Sequence, residues 1–138
     1  MTHKLYVIED NPGDILLMQE ALQDNQNIEF SFVNNGVSGL DHLLQSKNED
    51  LPNLIFLDLN IPKLNGKQVL ARLKADARLK KIPVIILTGS SSPHDVLDTY
   101  DLHANCFVVK PIDLDKFISM IKSLANFWFD IALIPKKS

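Results

Sequence analysis

A single cysteine, Cys106, in 138 residues leaves no partner for an internal disulfide and no thiolate set for a metal cage, so a reducing, cytoplasmic setting is expected. Basic residues are also in short supply. Fourteen Lys+Arg face seventeen Asp+Glu, a formal charge of -3. A protein that grips nucleic-acid phosphates needs a basic footprint, so no nucleic-acid partner is expected. No apolar run approaches the roughly 20 residues of a membrane-spanning helix, so no membrane partner is expected either. The first ten residues turn acidic at Glu9-Asp10, too soon for a secretory leader. With five glycines and no Gly/Ser stretch, repeat or charge block, nothing marks a linker. What remains, 46% hydrophobic and 22% charged residues, suits one folded domain.

Short β-type runs alternate with helical patterns. Leu5-Tyr6-Val7-Ile8 is apolar and ends at Glu9-Asp10; Asp14 is expected to cap a helix through Leu17, Ala21 and Leu22. Ile28 to Val33 alternates weakly, and Gly36 to Lys47 carries Val37, Leu40, Leu43 and Leu44 at helical spacing. Leu54-Ile55-Phe56-Leu57 is continuously apolar, the mark of a strand covered on both faces. A turn with Pro62 and Gly66 leads to a helix with Val69, Leu70 and Leu73. Val84 to Leu87, a helix opened by Pro93, and Cys106 to Val109 follow. Asp113 then caps a last helix with Leu114, Phe117, Ile121, Leu124 and Trp128 on one stripe. Five such units imply an α/β, doubly wound, five-stranded parallel sheet of order 2-1-3-4-5, in which chemistry lies beyond the carboxyl ends of the strands.

The first strand ends in Glu9-Asp10, the third in Asp58, the fourth in Thr88 and the fifth in Lys110. One carboxylate at a strand end is ordinarily a helix cap or loop residue. Polar groups from four of five strands at one edge are a different matter. Three close carboxylates repel, and one holds a proton unless a cation joins them. With oxygen ligands only, the hard ion Mg²⁺ is the expected cofactor, held by carboxylates and a backbone carbonyl after Asp58. A carboxylate can attack phosphorus to give an acyl phosphate, and the transferring group needs cations and donors around its oxygens. Asp58 is the candidate nucleophile, with Lys110 and the Thr88 hydroxyl on the phosphoryl oxygens.

Glu9-Asp10-Asn11-Pro12, Leu57-Asp58-Leu59-Asn60-Ile61-Pro62 with Gly66, Leu87-Thr88-Gly89-Ser90, and Val108-Val109-Lys110-Pro111 together resemble the response-regulator receiver domain of two-component signalling, a flavodoxin-like fold. The resemblance covers residues 4–125. It implies that Asp58 accepts a phosphoryl group from the phosphohistidine of a sensor histidine kinase. It implies Mg²⁺ binding by Asp10, Asp58 and the Asn60 backbone carbonyl, with Glu9 acting through water. It further implies Lys110 on the phosphoryl group, a cis peptide before Pro111, and a coupled switch pair in Thr88 and Phe107 that moves the face of the fourth helix, fifth strand and fifth helix. Three positions depart from the family pattern. Glu9 replaces the commoner Asp, Phe107 lacks a tyrosine hydroxyl, and Leu102-His103-Ala104-Asn105 lacks the glycine often found before the fifth strand.

Residues 1–125 are thus expected to form a receiver without an output domain, and 126–138 an apolar extension of the last helix. In that extension Phe127, Trp128 and Phe129 have little core left to enter and are the candidate homodimer contact. The tail resembles that of stand-alone regulators paired with phytochrome-type kinases of cyanobacteria. Arg78-Leu79-Lys80-Lys81 reads as a solvated loop, and His3, His42, His94 and His103 as surface residues. A degenerate receiver acting as a scaffold is the alternative, against which the full set of Asp10, Asp58, Thr88 and Lys110 speaks. A haloacid-dehalogenase-like phosphatase would need a second acid where Asn60 stands, and an FMN carrier would meet repulsion from Glu9-Asp10.

Overall fold

The computed structural model describes residues 2–135; residues 136–138 of the expected extension lie outside the described part. Strand β1 (His3–Ile8) is followed by α1 (Pro12–Leu22), β2 (Ile28–Val33) and α2 (Gly36–Gln45). Then come β3 (Leu54–Leu57), α3 (Gly66–Ala75), β4 (Val84–Thr88), α4 (Pro93–Asp101), β5 (Cys106–Val109) and α5 (Leu114–Asn126). The sheet runs β2-β1-β3-β4-β5 and every pairing is parallel, as the pattern of buried runs requires.

Alternation divides the core in two. Leu5, Val7, Leu54, Phe56, Ile85 and Leu87 face α1 and α5, meeting Ile15, Met18, Phe117 and Ile121. Tyr6, Ile8, Ile55, Leu57, Val84 and Ile86 face the other way, onto Leu40, Leu43, Val69, Leu70 and Leu73. Both faces of β3 and β4 are therefore dry, which explains their unbroken apolar sequence. Each such side chain contributes roughly 1.5–3 kcal/mol on burial.

The helices begin where side-chain oxygens can take the first free N–H groups. Asn35 accepts from Ser38 N at 2.8 Å, and Asn65 and Gln68 form a reciprocal capping box. Asp113 accepts from Lys116 N at 3.0 Å, as expected. Asp14 does not cap α1. Asn11 does, accepting from Asp14 N at 3.1 Å, because Pro12 takes the first helical position and fixes the start three residues earlier. Asp14 is released for another use.

Four other expectations are corrected. The helix α2 stops at Gln45, since Ser46 turns extended. Arg78 is no solvated loop residue; its guanidinium donates to Leu44 O, Ser46 O and Asn48 Oδ1 at 2.9–3.0 Å, closing the end of α2, while Leu79 is fully buried. In α5 the deepest row is Phe117, Ile121, Ala125 and Phe129, with Leu114 62% exposed and Leu124 and Trp128 flanking. This row continues because residues 127–131 form one π-helical turn, and the Phe129 ring stacks on His3 with centroids 4.8 Å apart. Finally, no peptide bond among the described residues is cis, so Lys110–Pro111 is trans, the isomer an X–Pro bond favours by about 0.5–1 kcal/mol.

The turn before β5 manages without glycine. His103 takes φ 71°, with His103 N bonded to Tyr100 O and Ala104 N to Thr99 O, both at 2.9 Å. That is a Schellman closure of α4, with histidine in the left-handed place.

Candidate functional site

At the carboxyl edge, each site residue follows a strand that is still hydrogen-bonded at its last position. Glu9 N donates to Val33 O, Asp58 N to Ile8 O and Lys110 N to Thr88 O, at 2.8–3.1 Å. Backbone ladders thus aim side chains from β1, β3 and β5 at one point. Lys110 Nζ lies 2.6 Å from Glu9 Oε1, 2.8 Å from Asp14 Oδ2 and 3.1 Å from Asp58 Oδ2. Glu9, Asp10 and Asp58 each offer an oxygen within 4.8 Å of the others. Glu9 is 2% exposed and Asp58 6%, while Asp10 is open to solvent.

The electrostatics follow from burial. Burial outweighs the neighbouring ammonium at Glu9 and pushes its pKa from 4.5 up to about 7. At Asp58 burial opposes ionisation too, but a hydrogen bond from Glu9, the charge of Lys110 and the Asn60 N–H at 3.2 Å together hold it below the usual range. Lys110 loses solvation on burial, yet its bonds to Asp14 and Glu9 hold its pKa above the ordinary lysine value. Three carboxylates on one ammonium, with Asp10 beside two of them, leave an excess of negative charge. The donor set is all oxygen, without imidazole or thiolate, and fits a hard divalent cation.

The loop after Asp58 is held by close packing. A Cβ on Gly66 would stand 2.3 Å from Asp58 O, and one on Gly36 would stand 1.9 Å from Leu64 O. Helices α3 and α2 therefore press their glycine N-termini against both ends of this loop, and Lys63 turns it with φ 71°. Asn60 sits in it, exposed, with its N–H on Asp58 Oδ1.

Of the residues expected from sequence, Glu9, Asp10, Asp58 and Lys110 come together. Thr88 closes β4, fully buried, and its Oγ1 accepts from Ser90 N at 3.5 Å rather than reaching Asp58. Phe107 pairs in register with Ile86 and is partly buried in the α2–α3 core layer. Phe127 is 47% exposed, Trp128 lies edge-on to it, and Phe129 is 9% exposed inside its own domain. The apolar surface left open by the tail is therefore Phe127, Ile131 and Leu133, not Phe129. Asp14 was legible only as a helix-start residue; its position in the first turn of α1, facing the end of β5, makes it part of the site.

A parallel 2-1-3-4-5 sheet with acidic β1 and β3 ends and a lysine after β5 is the arrangement of a signalling receiver domain. Residues 5–122 match the response regulator receiver domain, and the chain belongs to that family. It is 36% identical over 135 residues to response regulator Rcp1 of Synechocystis, covering 95% of this chain and 92% of that protein. The crystal structure of the phosphorylated cyanobacterial phytochrome response regulator RcpA superposes with a TM-score of 0.94 at 38% identity, covering 99% of this chain and 100% of that one. The Mn²⁺-bound form of Rcp1 gives 0.91 at 35% identity, covering 97% and 99%. Among the described residues no helix is long and apolar enough to cross a membrane.

Proposed function

We propose that this receiver takes a phosphoryl group onto Asp58 from a phosphohistidine of a phytochrome-type sensor histidine kinase. A carboxylate oxygen of Asp58 attacks phosphorus, the P–N bond breaks, and the imidazole leaves with its electron pair. The observation that carries this reading is the juxtaposition of Asp58 with Lys110 at 3.1 Å beside the Glu9–Asp10 acids. Asp58 is kept ionised and hence nucleophilic, and Lys110 stands ready to neutralise an oxygen of the transferring group. Glu9, Asp10, Asp58 and the Asn60 backbone carbonyl would hold Mg²⁺, which when bound supplies charge neutralisation for the phosphoryl oxygens. Two similar proteins support the metal and the kinase class: one is a phosphorylated phytochrome response regulator and the other a Mn²⁺-bound regulator.

The acyl phosphate adds roughly −1.5 to −2 charges, by analogy with phosphoserine. Thr88 then leaves Ser90 N for a phosphoryl oxygen, Phe107 turns into the space behind it, and the α4–β5–α5 face changes. That face exposes Leu97, Tyr100, Val109 and Ile112. Only contacts stronger in the switched state can move the population. The protein works in the cytoplasm as a homodimer, joined through Phe127, Trp128 and their apolar neighbours Ile131 and Leu133.

The test is transfer from a phosphorylated phytochrome-type kinase with Mg²⁺, sedimentation being run on the same samples. Wild type should take up label and sediment as a dimer, and Asp58→Asn should take up none. Equal labelling of that variant removes Asp58 from the reaction, unlabelled wild type leaves a scaffold, and a monomer at tens of micromolar disposes of the dimer.

A further inference from the structure

Lys110 is the one site residue whose partners outnumber those the transfer reaction calls for. An ammonium has three donor hydrogens, and Glu9, Asp14 and Asp58 occupy three oxygens within 3.1 Å of Nζ. Two of those partners, Glu9 and Asp58, also belong to the acidic cluster that fits a cation; Asp14 does not. Glu9 and Asp58 would be shared with a bound cation, and the ammonium hydrogens they gave up would be the ones free for a phosphoryl oxygen. Asp14 has no competing claim on it. Its carboxylate projects from the first turn of α1, whose start Asn11 and Pro12 set, and its side chain is 21% exposed against 13% for Lys110. The contact is sheltered on both sides, so water screens it less than a surface pair.

We propose that Asp14 is a positioning residue that anchors Lys110 throughout the phosphorylation cycle and, by keeping one ammonium hydrogen and an extra negative charge beside the pocket, slows phosphoryl acceptance. This rests on the reading of Asp58 as acceptor. The rate is set partly by how much of the Lys110 charge faces the incoming, negatively charged donor, and an anion in contact with the ammonium lowers that charge. Asparagine at position 14 keeps an oxygen on Lys110 while removing the charge; glutamate keeps both.

The experiment is labelling of the intact chain by acetyl phosphate with Mg²⁺, which removes kinase docking from the measurement. Asp14→Asn should accept phosphate about three- to tenfold faster than wild type, the effect of one nearby charge at intermediate screening. Asp14→Glu should stay within about twofold of wild type, a rescue that a packing role would not produce. In a Lys110→Met background the gain from Asp14→Asn should shrink to less than half, because the two residues act as a unit. An Asp14→Asn rate at or below wild type overturns the proposal, as does an undiminished gain without Lys110. Wild type and Asp58→Asn, run alongside, keep the two questions apart: if Asp58→Asn labels equally, the acceptor assignment fails, whatever Asp14 does.

Discussion

Lys110 and Lys67 each bind more than one carboxylate, in surroundings that differ chiefly in water. Lys67, on α3, reaches Asp95 at 2.7 Å and Asp98 at 2.9 Å on α4, and Asp95 also accepts from Ser90 Oγ at 2.6 Å. Roughly a third of each of the three charged side chains is open to solvent. There the ordinary rule holds: hydrogen bonds from Lys67 and Ser90 lower the Asp95 pKa, and Asp95 and Asp98 raise that of Lys67. Around Lys110 the rule inverts for one member. Glu9 touches the ammonium more closely than Asp95 touches Lys67, yet its pKa goes up, because burial costs the carboxylate more than one shared cation returns. An exposed cluster stores little that could be released. A buried one holds an excess of negative charge, and that imbalance is available to a cation.

The largest way to break the contrast is to remove the buried cation. Lys110→Met leaves Glu9, Asp14 and Asp58 without their common partner and should destabilise the metal-free protein by on the order of 3 kcal/mol at mildly alkaline pH. Urea unfolding with and without Mg²⁺ measures this; an unchanged midpoint would mean that the cluster is not strained. The second test is pH. Glu9, raised from 4.5 to about 7, binds a proton in the folded chain that the unfolded chain has already lost. The stability so gained is complete below pH 4.5 and is lost as pH rises through about 7. Mg²⁺ competes with that proton, so calorimetry should find affinity falling on acidification across the same window. A flat profile would show that Glu9 is ionised throughout. The smallest effect is expected from Lys67→Met. Its urea midpoint should lie close to wild type, and the difference should vanish at high salt, since exposed pairs are screened. A salt-independent loss would put Lys67 in the same category as Lys110.

Much of this was readable in the chain, for local reasons. Continuous apolar runs such as Leu54 to Leu57 announce a two-sided sheet, and the polar residue that ends each run falls on one edge whatever the packing details. The parallel order and the meeting of Glu9, Asp10, Asp58 and Lys110 follow from that. The rest was hidden because its cause lies far away in sequence or in the backbone. Asp14 meets a lysine 96 positions on, and Asn11-Pro12 supply the cap it was expected to make. Arg78 binds main-chain carbonyls, which carry no residue signature. Phe129 is drawn inward by a π turn and by His3 at the opposite end of the chain.

The two glycines that receive the loop after Asp58 also decide where the pocket can yield. Main chain meets main chain at Gly36 and Gly66, with no side chain between to rearrange. That jaw is stiff. Across the cleft, Gly89 has open space around it and Thr99 is the only side chain of α4 in the interior. That jaw is the more loosely filled one, so under the proposed function a load applied at the centre of the vice would be taken up on that side, and the message would leave the molecule in a single direction.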